Sequence, residues 1–124
     1  MRHLLASTTF LVFLSGTASA EAFKVGDLGE ITSRRACLET AAEVLEAYVN
    51  EFGGRSTDGE LDVVESWAYY GWDLRPGDID VVITCPVVAD RVNAFYTLYS
   101  SGDNEQADAD TAATRLRELW ERLY

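Results

Sequence analysis

The sequence predicts an α+β domain of two layers, ordered helix, strand, strand, strand, helix. Three observations lead there. Two segments carry apolar residues at three- and four-residue spacing, the mark of a helix with one buried face. Between them lies a stretch dense in β-branched and aromatic residues, part of it strictly alternating, as a half-buried strand requires. The connections are short, which favours antiparallel neighbours: a three-stranded antiparallel meander with two helices on one face.

The chain ahead of the first helix divides in two. Arg2 and His3 open it, Leu4 to Leu14 is mostly apolar, and Ala18-Ser19-Ala20 closes the first part. A basic start, an apolar run and a small-x-small ending are the layout of a secretory signal peptide, with cleavage expected before Glu21. The apolar run is too short to span a bilayer of about 30 Å. A buried N-terminal helix is the competing reading. Residues 1–20 are therefore read as a signal peptide, 21–31 as an irregular arm and 32–124 as one domain. Gly26 and Gly29 leave the arm without a clear period. Lys24 is the only lysine, and this arginine bias, with the short signal, suggests a bacterial source and a periplasmic or secreted location. No second long apolar run follows, so no stable membrane insertion is expected after processing.

The first helix should begin near Thr32 or Ser33, whose hydroxyls can cap the first turn. Leu38, Ala41, Ala42, Leu45, Tyr48, Val49 and Phe52 form its apolar face. Gly53-Gly54 ends it. Arg55 to Glu60 reads as a polar loop. Val63 to Trp72 is the first strand, Arg75-Pro76-Gly77-Asp78 a turn, and Ile79 to Cys85 the second strand. Pro86 stops that strand, because proline cannot donate to the ladder. Val87 to Asp90 connects to a third strand, Arg91 to Ser100, which Ser101-Gly102-Asp103 breaks. Asp103 with Gln106 suggests a capping box for the second helix. Its apolar face is Ala109, Ala112, Ala113, Leu116, Leu119, Trp120 and Leu123. Acids near its start and Arg115, Arg117 and Arg122 toward its end suit the helix dipole.

Composition narrows the function. The chain has 124 residues, 48% hydrophobic, and a net charge of -11. That apolar fraction is too high for a disordered acidic tail. The acidic balance argues against binding nucleic acid, whose phosphates call for clustered basic side chains. His3, inside the first segment, is the only histidine, so histidine-based triads and ordinary zinc or copper sites are not expected. No phosphate-cradling loop or EF-hand pattern occurs, so no cofactor and no metal are expected. Cys37 and Cys85 are the only cysteines and lack redox spacing; in an oxidising compartment they should form one structural disulfide.

A hairpin loop of even length around Pro76-Gly77 places Leu74 opposite Ile79, Trp72 opposite Val81, Tyr70 opposite Ile83 and Ala68 opposite Cys85. Paired residues share a face. Cys85 must face the first helix to reach Cys37, which takes Leu74, Trp72 and Tyr70 into the core. The opposite face then carries Trp67, Tyr69, Phe95 and Tyr99, with Val82, Thr84 and Thr97. An odd loop would reverse the first strand. Aromatic density on a face left to water marks a partner surface, unless the 21–31 arm, with Phe23 and Val25, folds over it. Asp73 and Asp80 would meet across the hairpin, as a weak cation site, a catalytic pair, or a solvated end with Arg75 or Arg91 nearby.

The function expected is a small exported acidic binding module, not an enzyme, whose partner is a basic protein or a cationic ligand. The alternative is a carboxylate-dependent enzyme acting on a glycan or cell-wall fragment, which needs two acids converging on a concave pocket.

Overall fold

A computed structural model describes residues 21–56, 67–101 and 103–124. The signal-peptide reading of Met1–Ala20, the loop after Ser56, the start of the first expected strand and Gly102 lie outside the described residues. The described chain runs β1 (Ala22–Ile31), α1 (Arg34–Phe52), β2 (Arg55–Ser56), β3 (Ala68–Leu74), β4 (Ile79–Thr84), β5 (Val87–Val88), β6 (Arg91–Ser100) and α2 (Glu105–Leu123). The fold is α+β, as the periodicities predict, but the antiparallel sheet has six strands, not three. Its order is β1-β6-β4-β3-β2, with β5 also paired to β6.

The largest correction is at the N-terminal end. Residues 22–31 are not an irregular arm but a ten-residue strand along β6. Two features hide it in the sequence. Its first helix-facing positions hold Ala22, Lys24 and Gly26 instead of large apolar residues, with Ile31 buried only at the far end, and Gly29 follows a bulge after Asp27. There Asp27 Oδ1 accepts the Gly29 amide at 2.7 Å. The small inward residues are needed because Tyr96 of β6 lies across Gly26, where a Cβ would overlap its ring.

Both helices cover one face of the sheet and pack on each other. Ser33 caps α1, its hydroxyl accepting the Ala36 amide at 3.0 Å. Gly53 closes the helix at φ 102°, a conformation open to glycine. The capping box expected at α2 does not form: the N-cap is Asn104, and Gln106 donates to Asp110 instead. Leu45, Tyr48, Leu74, Ile79, Ile83, Leu98 and Leu116 fill the core. Leu123, assigned above to the apolar face of α2, is exposed. Cys37 of α1 and Cys85 beyond β4 are joined, with Cα atoms 6.0 Å apart. The β3–β4 turn is tied to both helices through one carbonyl: Tyr48 Oη donates to Arg75 O at 2.6 Å and Arg115 at 3.0 Å.

The hairpin register is half as expected. Leu74 pairs with Ile79, but Gly71, not Trp72, pairs with Val81. Trp72 and Asp73 together span what Asp80 spans alone in β4. Asp73 takes φ 50°, a left-handed conformation that aspartate tolerates better than most residues. One extra residue reverses everything on its N-terminal side. Tyr69 is therefore opposite Ile83 and buried, and Tyr70 and Trp72 leave the core for the outer face. A smaller difference is β5: Val87–Val88 turns through Ala89 and Asp90, both at positive φ, into β6.

Candidate binding face

The sheet face turned away from the helices is built from three ladders of side chains. Phe23, Tyr99 and Asp80 lie across β1, β6 and β4. Val25, Thr97, Val82 and Tyr70 lie beside them, and then Asp27, Phe95, Thr84 and Ala68. Trp72 extends the first ladder past the bulge. Phe23 is 64% exposed, Val25 62%, Trp72 41% and Tyr70 38%. The Tyr70 and Trp72 rings lie parallel within 5°, their centroids 5.8 Å apart. They border a shallow depression of about 190 Å³ lined also by Asp80, Val81, Val82, Thr97, Leu98 and Tyr99, almost entirely through apolar atoms.

Acid gathers at one end of this face. The hydrogen bond with the Glu21 carboxylate, then partial burial, then the charges of Glu21, Glu105 and Asp80 push the Tyr99 phenol above the usual tyrosine range. Two arginines border the face, and both are engaged. Arg55 pairs with Asp73, and Arg91 with Glu30 at 3.2 Å.

Of the four aromatics assigned to this face from sequence, Phe95 and Tyr99 lie on it together. Tyr69 is in the core. Trp67 sits on the helix side, since its carbonyl accepts the Cys85 amide at 2.9 Å and the Arg34 guanidinium lies 3.8 Å over its ring. Both displacements follow from the bulge at Trp72–Asp73. The residues sequence reasoning missed are Phe23, Val25, Tyr70 and Trp72. Phe23 and Val25 do not fold over the face; they extend it from the edge strand. The alternation of Phe23 with Val25 was a visible signal, blurred by the glycines that follow.

Asp73 and Asp80 do not converge on a shared cavity. Asp80 Oδ1 accepts the Asp73 amide at 3.2 Å, and the Asp73 carboxylate turns to Arg55. The cation at this hairpin end is thus Arg55, not Arg75, which pairs with Asp78, nor Arg91. Among the described residues no group of three or more acids, cysteines or histidines is placed to hold a metal ion. No helix among them is long and apolar enough to cross a membrane. No known protein family, curated protein or solved structure matches the chain.

Proposed function

We propose that the chain is an exported acidic module, without catalytic activity of its own, that binds a basic protein through the sheet face opposite the helices. The observation that carries this reading is a band across that face, from Phe23 and Val25 on β1 to the stacked Tyr70 and Trp72 on β3, each of these four more than a third exposed, with Tyr99, Thr97 and Val82 on the two strands between. Contiguous apolar surface of this kind marks partner sites on soluble proteins. The net charge of -11 and the acids at the Tyr99 end favour a cationic partner and oppose an anionic one. Export is supported by the layout of Met1–Ala20 and by the Cys37–Cys85 disulfide, which oxidising compartments sustain.

Calorimetric titration with an arginine- and lysine-rich octapeptide and with an all-glutamate octapeptide tests the face. The basic peptide should bind and the acidic one should not. A double variant, Val25→Asp with Trp72→Ala, should weaken binding by about ten-fold or more. Simple charge attraction would respond in the opposite sense, because Val25→Asp adds a negative charge. Binding undiminished in the double variant overturns the assignment of the face.

A further inference from the structure

We infer that the basic partner adds an extended segment as a further strand along the free edge of β1, over residues 22–26, with basic side chains turned toward α2; this rests on the binding-face reading above. β1 ends the sheet, and among the described residues nothing pairs with its outer side. Such an edge presents unpaired N–H and C=O groups and templates another strand. Its far half is closed. Asp27 Oδ1 accepts the Gly29 amide at 2.7 Å within the bulge, and Arg117 donates to Asp27 O at 3.1 Å. Residues 22–26 have no such closure among the described residues. They carry Phe23 and Val25, both more than half exposed.

A strand laid against residues 22–26 alternates as β1 does. Its side chains beside Phe23 and Val25 continue the apolar band of the outer face. Those beside Ala22, Lys24 and Gly26 turn into a polar cleft of about 430 Å³ where β1 and β6 meet α2, lined by Lys24, Tyr96, Asp110, Arg117, Glu118 and Glu121. The cleft holds a surplus of acid. Lys24 pairs with Asp110 and Arg117 is engaged by the Asp27 carbonyl. Among the described residues Glu118 and Glu121 have no ion-pair partner. Basic side chains at the inward positions meet these two carboxylates, so the charge of the occupant is set by the cleft. Other occupants bring the wrong charge. A second copy aligned edge to edge would set its own Glu118 and Glu121 against the same acids, at a net charge of -11. The segment 57–66 joins β2 to β3 at the opposite edge of the sheet, and it carries Asp58, Glu60, Asp62 and Glu65 and no base.

The test is a titration of the isotope-labelled exported protein, followed by NMR, with an acetylated and amidated pentapeptide of alternating arginine and valine, arginine first. It should shift the amides of residues 22–26 and slow their hydrogen exchange. N-methylation of alternate amides gives two further peptides. Only alternate amides of a strand face its neighbour, so one methylated peptide should bind about ten-fold or more weakly and the other nearly as the parent. Glu118→Gln with Glu121→Gln, both exposed on α2, should weaken the parent peptide by about three-fold or more. Binding that ignores both methylation patterns and moves Trp72 and Thr97 but not residues 22–26 overturns strand addition while leaving the face reading standing. Shifts at residues 22–26 that survive the double glutamine variant undiminished overturn the basic occupant of the cleft. No shifts on β1 or the outer face with any of the basic peptides overturn both readings. Protection of residues 22–26 that grows with protein concentration alone overturns the partner segment in favour of a second copy.

Discussion

At Asp73 the backbone adopts φ 50°, and the residue before it, Trp72, is carried out of the core. The exchange is between neighbours: Trp72 leaves and Gly71 takes its place opposite Val81, while Tyr69 replaces Tyr70 opposite Ile83. The aromatic count on the outer face hardly changes, but its members do. Stability measurements separate the two arrangements. Tyr69→Ala should cost about 3 kcal/mol or more, since it empties a buried site beside Ile83. Trp72→Ala should cost under about 1 kcal/mol, because an exposed side chain gives up little packing. Chemical denaturation of the two variants is the check. A severe Trp72→Ala with a tolerated Tyr69→Ala would mean that the bulge is absent in solution.

Strand β1 shows how an element can be present without a periodic signature. Ahead of the bulge its inward face is made of small or charged residues because β6 supplies the bulk: Tyr96 fills the room over Gly26 and is itself buried. Lys24 turns inward only as far as Asp110 of α2, with which it pairs. The strand is thus held by its ladder with β6, by α2 and by the buried Ile31 at its end, while Phe23 and Val25 are left for the outer face. Gly26→Ala places a methyl in the Tyr96 ring and should cost about 1–3 kcal/mol. Combined with Tyr96→Leu, the two losses should fall short of their sum, because the smaller side chain removes the overlap. Equilibrium unfolding of the single and double variants measures that coupling. A neutral Gly26→Ala would show that β1 is not seated on β6.

For the whole molecule, the Cys37–Cys85 bridge joins the first helix to the far end of β4 across a separation of 48 residues. The chain-entropy value for a closed loop of this size is about 4 kcal/mol. A single domain of this length often has a total stability of only about 5–15 kcal/mol, so the bridge is a large share. Reduction should lower the melting temperature by about 15 °C or more. Intact-mass analysis of exported material checks the bridge and the processing together. The expected mass lacks Met1–Ala20 and the two thiol hydrogens. A mass that retains either one counts against the exported, oxidised form.

The sequence by itself determined the layers. The three- and four-residue spacing of Leu38 to Tyr48 and of Ala109 to Trp120 is local information, because a helix's buried face depends only on its own turn. The caps at Ser33 and Gly53, the strand from Ile79 to Thr84 and its stop at Pro86 are legible for the same reason. The disulfide followed from counting, since two cysteines allow one pairing. Tertiary structure decided which aromatics face outward and whether residues 22–31 form a strand. The first depended on a single extra residue at Trp72–Asp73, which reverses every side chain before it. The second depended on Tyr96, distant in sequence, filling space that β1 leaves empty. Neither can be read from periodicity, because in both cases the deciding partner sits on another strand.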